Sequence, residues 1–453
     1  MVNGTATTRV VIGSHEALFH WLQEAKYSHI LIVCDSNTAH FATLVASKIQ
    51  CADTLVLKPA LPAHDLIPNE AAIGKIFIAA TTCQANPSIS AIISIGSGTL
   101  CDLVRYVSYR LGLPYYVVAT AASMDGYTSS VAALTVSGMR QTYPAKAPEG
   151  VVADENIFAD APSALTCAGF GDIMGKFTSV TDWRMEELVE ERGDFCEILA
   201  DEAHEIASDC IKHVTGILPE TYIRQDKPHY HIGGPGFAPH NVSVATAIMS
   251  ALINSGIVMQ KAGHSKPASG GEHHLSHFWE MAALLEGKLP ALHGAKVGVS
   301  TLVALQAQEW LMKEHVTPST WEQAEREATN FNPAAWHEEI RQSYANVSDE
   351  ILALWPNENA QTRLALLKRI QDKWPSLQGL LYQNAGLLGQ VKSALAGLGC
   401  PTLPATIGVS RDVFMAGVMH AHRLRQRFTI WRLLDIMGLH RKYASSLAGE
   451  YYS

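Results

Sequence analysis

Eight cysteines are scattered over 453 residues, at 34, 51, 83, 101, 167, 196, 210 and 400, and no two form a C-x-x-C pair. That absence excludes a zinc ribbon and a dense disulfide framework, and it fits a reducing cytoplasm. Clustered cations are missing too. The chain carries 34 Lys and Arg against 43 Asp and Glu, a net charge of −9, with no basic block. A surface that tracks nucleic-acid phosphates needs such a block, so nucleic acid is not an expected partner. No uninterrupted apolar run approaches the roughly 20 residues of a membrane span. The opening MVNGTATTRVVIGSHEALFH has no basic segment followed by a long apolar one, so no signal peptide is expected. H-E-x-x-H is absent, which removes the best-known zinc peptidase signature. No internal repeat or low-complexity tract stands out.

What is present is ordinary globular material, 47% apolar and 17% charged, long enough for two domains. Short β-rich runs alternate with helical runs through the first third. HILIVCD (29–35), TLVLKP (54–59), AIISIGSG (91–98) and YYVVAT (115–120) read as strands. HFATLVASKI (40–49), EAAIGKIFIAATTCQA (70–85) and TLCDLVRYVSYRLG (99–112) read as helices. Such alternation predicts a mostly parallel sheet with crossover helices, and unbroken apolar strands suit a sheet covered on both faces. After GVVADENIFADAP (150–162) the periodicity turns helical, as in TWEQAEREATNF (320–331) and ENAQTRLALLKRIQDKW (358–374). The expected architecture is an α/β, Rossmann-like N-terminal domain over 1–158, followed by an all-helical domain over 159–453. The Pro-, Gly- and His-rich stretch 223–241 reads as a loop.

Three segments carry possible chemistry. ISIGSGTLCD places Gly96 and Gly98 between a strand and a helix, where backbone N–H groups and a helix N-terminus can receive a pyrophosphate. The same turn also serves as a plain connector, and with Cys101 it is not a full G-x-G-x-x-G fingerprint. YYVVATAASMDGYTSS (115–130) leaves a strand into small and hydroxyl residues around Asp125, suited to a planar ring against backbone or simply to a local turn. Asp172, His273 with His277 four residues on, and His293 are potential metal ligands. A spacing of four puts two imidazoles on one helix face, while His274 points elsewhere and Glu280 shares the face of His277. Asp172 follows a glycine and reads equally as a helix N-cap. A single buried histidine is usually just hydrogen-bonded, so the set carries more weight than any member.

In this order and spacing, ISIGSGTLCD, VATAASMDGYTSS, AGFGDIMGKFTSVTDWRM, SKPASGGEHHLSH and LHGAKVGVS resemble the sn-glycerol-1-phosphate dehydrogenases of the iron-containing alcohol dehydrogenase and dehydroquinate synthase-like superfamily. The likeness spans about 90–300 and returns in RLRQRFTIWRLLDIMGLH (423–440). It implies that Gly96, Ser97, Gly98, Thr99 and Leu100 hold the pyrophosphate of NAD or NADP, with Thr120, Ala121, Ala122, Ser123 and Ser129 further along the cofactor. It implies a divalent metal, Zn²⁺ or Ni²⁺, on Asp172, His273 and His293. Asp125, Asp172 and His277 would meet the substrate, so the two histidines four apart divide their labour. Two positions depart from the family: Ser97 replaces a glycine, which matters if φ there is positive, and Lys266 replaces an arginine, losing a two-pronged donor.

The implied reaction is reversible reduction of dihydroxyacetone phosphate to sn-glycerol 1-phosphate, in a cytoplasmic homodimer. Lys146, Lys176 and Lys266 are candidates for the substrate phosphate. Asp35, at a strand end, is either a ribose ligand favouring NAD or a turn former. The rival readings are a dehydroquinate synthase-like lyase, a polyol dehydrogenase on glycerol itself, and a catalytically inactive nucleotide- or metal-binding protein.

Overall fold

The structure is a computed structural model that describes residues 8–59, 66–82, 88–137, 139–216, 230–232, 244–314 and 316–452. It comprises two compact units. One runs Val2–Ile173 and Glu205–Ser265; the other runs Met174–His204 and Lys266–Ser453.

The first unit is built on a seven-stranded sheet in the order β3-β2-β4-β5-β8-β1-β9. The strands are β1 (Arg9–Gly13), β2 (Ile30–Asp35), β3 (Ala52–Leu57), β4 (Ala91–Gly96), β5 (Tyr115–Ala119), β8 (Gly150–Asp154) and β9 (Tyr230–Ile232). Every pairing is parallel. Every residue of β4, β5 and β8 is buried, as expected for strands covered on both faces. Helices α1 (Glu16–Ala25), α2 (Ala39–Ala46), α3 (Glu70–Thr81) and α4 (Gly98–Leu111) connect them. Local chemistry sets their ends. Asn69 caps α3 by accepting from Ala72 N at 3.1 Å. Gly112 closes α4 at φ +67°, a left-handed position that glycine adopts without strain.

The expected strands and helices of the first third are present at the expected places, except that the helix expected over 70–85 spans Glu70–Thr81 and its positions 83–85 lie outside the described residues. Five elements up to Asp154 were not foreseen: β1, α1, β8, and an antiparallel hairpin of β6 (Val131–Val136) and β7 (Met139–Pro144). The stretch 223–241, expected as a loop, contains β9; its remaining residues lie outside those described.

The units also divide the chain differently from a single boundary at 158. The sheet unit takes in the chain as far as Ile173 and again from Glu205 to Ser265. Helix α5 (Glu155–Phe158) is followed by α6 (Ser163–Met174), α7 (Lys176–Glu190), α8 (Glu197–Val214) and α9 (Val244–Ala262). The reason for the grouping is packing. A Cβ at Gly169 of α6 would collide with the Ala122 carbonyl, and one at Gly256 of α9 would sit 2.7 Å from the Asp125 carbonyl. The two helices thus lie directly on the segment that follows β5.

The second unit is helical throughout its described residues. It contains α7, the beginning of α8, α10 (Gly271–Leu285), α11 (His293–Lys313) and further helices from Pro318 to Tyr451. Among the described residues, no helix is long and apolar enough to cross a membrane.

Candidate active site

In the sheet unit, β4 and β5 are parallel neighbours, so the turn after β4 and the segment after β5 both leave the carboxyl end of the sheet. The chain winds outward from β2 to β3, returns to β4, then proceeds the other way to β5. The turn after β4 therefore stands at a reversal of strand order, where open α/β sheets receive ligands. β4 ends at Gly96 and α4 begins at Gly98. A Cβ at Gly96 would run into Leu100, and one at Gly98 would lie 2.9 Å from Met124 Cγ. Ser97 sits at φ −109°, in extended backbone, so serine in place of glycine carries no strain there. Its hydroxyl makes no capping bond, and α4 presents its first N–H groups to the turn along with Thr99 and Leu100.

The segment 120–130 is held from within. Thr120 N donates to Gly96 O at 3.2 Å, tying the two turns together. Tyr127, fully buried, donates to the Ala121 carbonyl and lies 3.4 Å from Ser123 Oγ. Ser129 Oγ receives Val131 N at 3.1 Å. Beneath them is a residue that sequence reading missed. Arg105 of α4 is fully buried and bonds to Asp102 Oδ1 (2.5 Å), Tyr115 Oη (3.0 Å), Val131 O (3.0 Å) and the Gly126 carbonyl. One guanidinium thus anchors both ends of 126–131. Only the amphipathic spacing of Asp102 and Arg105, three apart, hinted at it.

Asp125 and Asp172 meet in this unit. Asp125 N donates to Asp172 Oδ2 at 3.0 Å, and Ser255 Oγ donates to Asp125 Oδ2 at 3.0 Å. Asp172 is fully buried within the last turn of α6, not at a helix N-terminus, so the capping reading does not hold. Asp35 does act as a turn former: its Oδ1 accepts from Asn37 N and Thr38 N, both at 2.9 Å.

The helical unit holds the histidines. His273 and His277 lie on α10, and His293 opens α11, each as the spacing predicted. Their rings form a triangle, with centroids 5.3 Å (273–293), 5.7 Å (277–293) and 6.0 Å (273–277) apart. The nitrogens of His273 and His277 are held differently. Glu272 Oε1 accepts from His273 Nδ1 at 2.7 Å, which leaves Nε2 with its lone pair. Arg425 Nη2 lies 3.3 Å from His277 Nδ1. A guanidinium has no acceptor, so that contact requires Nδ1 to accept and puts the ring proton on Nε2. Arg425 is thus a member of the histidine cluster that the sequence did not single out, placed in the family-like tail.

The start of α10 is dense with carboxylates. Gly271 N donates to Asp182 Oδ2 at 2.6 Å, Gly270 N to Glu272 Oε1 at 2.6 Å, and Thr178 Oγ1 to Glu272 Oε2 at 2.7 Å. Asp182 also receives Ile430 N at 2.9 Å. Burial pushes the Glu272 carboxyl up, but the His273 ring, Gly270 N–H and Thr178 hydroxyl outweigh it and hold it below its ordinary range. Burial, reinforced by the Glu272 charge, drives Asp182 well above its own. His274 is fully buried; burial first, then Arg425 and Arg427, keep it neutral at a pKa well below normal. Glu280 accepts from Lys296 at 2.9 Å.

The three lysines considered for phosphate are differently engaged. Lys146 pairs with Glu149 on the surface. Lys176 is fully buried and donates to Ala268 O at 3.2 Å. Lys266 lies 2.6 Å from both Glu186 and Asp194.

A sheet unit with a phosphate-type turn and a helical unit with clustered imidazoles define a class of metal-assisted, nucleotide-dependent dehydrogenases. A family model described as iron-containing alcohol dehydrogenase matches residues 10–162. Solved structures agree on the fold: a probable glycerol dehydrogenase from Sinorhizobium meliloti (TM-score 0.57, 14% identity, 98% of each chain) and the glycerol dehydrogenase of Schizosaccharomyces pombe (0.56, 14%, 99% and 92%). Curated relatives are closer in sequence. A glycerol-1-phosphate dehydrogenase (NAD(P)+) of Bacillus velezensis is 31% identical over 93% of this chain and 89% of its own length. One of Geobacillus thermodenitrificans is 33% identical over 65% and 69%. The chain belongs to the glycerol-1-phosphate dehydrogenase family, within the iron-containing alcohol dehydrogenases.

Proposed function

We propose that the protein interconverts dihydroxyacetone phosphate and sn-glycerol 1-phosphate, using NADH or NADPH and a divalent metal. The carrying observation is the opposite wiring of two neighbouring imidazoles. His273 offers a lone pair at Nε2, as a ligand must, whereas His277 offers an Nε2–H, as a proton donor must. Asp172, His273 and His293 supply one carboxylate oxygen and two imidazole nitrogens, a donor set that fits Zn²⁺ or Ni²⁺. When bound, the ion supplies a Lewis acid at the substrate C2 oxygen, and the nicotinamide supplies hydride.

The chain's own residues do the rest. Gly96, Ser97, Gly98, Thr99 and Leu100 receive the pyrophosphate on backbone N–H groups. Thr120 to Ser123, with Ser129, give the remaining cofactor a close, hydroxyl-lined bed. Asp125, steadied by Ser255, orients a substrate hydroxyl. His277 donates a proton to the C2 oxygen during reduction and takes it back in reverse. Arg425, whose planar fork matches a phosphate, is the cation we assign to the substrate's phosphoryl group. A homodimer in the cytoplasm belongs to the same reading; cysteines scattered without a C-x-x-C pair suit that compartment.

The test is NADH and NADPH oxidation with dihydroxyacetone phosphate, before and after chelation, with Zn²⁺ or Ni²⁺ returned. Expected are metal-restored turnover, little activity on unphosphorylated dihydroxyacetone, and a product of the 1-phosphate hand. Arg425→Lys should slow the phosphorylated ketone far more than the unphosphorylated one. Equal rates on glycerol would favour a polyol dehydrogenase, and no turnover with any metal would leave a binding protein.

A further inference from the structure

Glu272 has no part in the chemistry proposed above, yet it is fully buried between the elements that carry the histidines. One carboxylate oxygen accepts from His273 Nδ1 (2.7 Å) and from Gly270 N (2.6 Å). The other accepts from Thr178 Oγ1 of α7 at 2.7 Å. Its backbone carbonyl accepts from Ser300 Oγ of α11, the helix that His293 opens, at 2.7 Å. Thus α7, α10 and α11 all fasten to this one residue.

A buried carboxylate is costly unless its lone pairs are met. Here hydrogen bonds from two other groups fix its orientation before it meets the imidazole. An anion bonded to Nδ1–H raises the electron density at Nε2, fixes the tautomer and locks the ring's rotation. A glutamate on the residue just before the histidine can do this only if its side chain folds back. The Gly270 N–H and the Thr178 hydroxyl hold it there.

We infer that Glu272 is a positioning residue that sets the protein's metal affinity through His273, with Thr178 as its brace. The inference rests on His273 being a metal ligand, and the controls separate the two. Glu272→Gln keeps size and removes the charge; Thr178→Val keeps the charge and removes the brace. The affinity of the metal-free protein for Zn²⁺ alone, and for Ni²⁺ alone, is read by competition with a chromophoric chelator. Thermal midpoints are taken with and without metal.

Glu272→Gln should weaken metal binding about ten- to a hundredfold, and Thr178→Val should weaken it less, in the same direction. The midpoint gained on adding metal should shrink accordingly. A merely structural role would instead lower the metal-free midpoint and leave affinity unchanged. Parent-like affinity in Glu272→Gln, with binding lost in His273→Ala, overturns the inference alone. Parent-like affinity in His273→Ala overturns the ligand assignment and the inference with it.

Discussion

In the sheet unit, the segment 120–130 packs closely on two helix glycines, Gly169 and Gly256, and Arg105 is the large side chain that fastens it from below. In the helical unit, 269–277 is held by named side chains, among them Glu272, Thr178, Asp182, Arg425 and Trp431, whose Nε1 donates to Gly271 O at 2.7 Å. The difference follows from what each has to receive. A dinucleotide presents long faces and phosphates, which backbone and space accommodate. An ion and a proton need individual lone pairs and N–H groups aimed to within tenths of an ångström, which only fixed side chains provide. A region made of space breaks when an atom is added, and a region made of side chains breaks when one is removed.

The largest effect should come from removing a side chain. His273→Ala is expected to lower kcat by about a thousandfold or more, several kcal/mol of lost barrier reduction. NADH affinity, read by fluorescence titration, should stay within a few fold. Metal-independent turnover in that variant would refute the assignment. Next is Asp102→Ala, which removes an ion-pair partner from the buried Arg105 and should lose about 3 kcal/mol in urea unfolding. It is the exception that sharpens the contrast, because here the sheet unit depends on one buried charge.

Adding an atom comes third. Gly169→Ala forces a methyl against the Ala122 carbonyl, which cannot swing aside as a side chain can. About 1–3 kcal/mol of stability should go, with KM for the nicotinamide raised and metal affinity unchanged. The smallest effect concerns pH. Burial, then Arg423, holds His420 of the helical unit down to about 3, from 6.5. A depressed histidine stabilises the fold fully above pH 6.5, and that contribution is lost as pH falls toward 3. Between pH 6.5 and 5 the loss from this group is about 1–2 kcal/mol. His420→Gln should flatten the stability slope in that window. An unchanged slope, measured by urea titration at each pH, would count against it.

The same contrast explains what could be read from the sequence. β2, β4 and β5 announce themselves because doubly covered strands are unbroken apolar runs. RVVIG and GVVAD are as short as β5 but hold only three consecutive apolar residues each, and their pairing joins residues over 130 positions apart. The β6–β7 hairpin had a legible Ser-Gly signal between TV and MR that went unweighed. The candidate ligand and cofactor residues stand out in the sequence because motifs preserve residue type and spacing. Arg105, Glu272 and Arg425 do not, because each draws its meaning from a hydrogen-bond partner and not from its own neighbours in the chain. At Asp172 only the alternative N-cap reading falls: a glycine before it mimics a helix start, yet the helix is already running.

The place of β1 within the sheet has a consequence for synthesis. Val10 pairs with Val151 on one side and with Tyr230 on the other. A ribosome releasing this chain exposes β1 long before either neighbour exists. For some 140 residues of translation that strand has both edges bare, and one edge stays so until residue 232 emerges. Unpaired edges invite other chains, so expression yield should respond to translation speed and chaperone supply more than the finished fold suggests. Pausing after residue 232, and not before it, would be the pattern that favours recovery of folded protein.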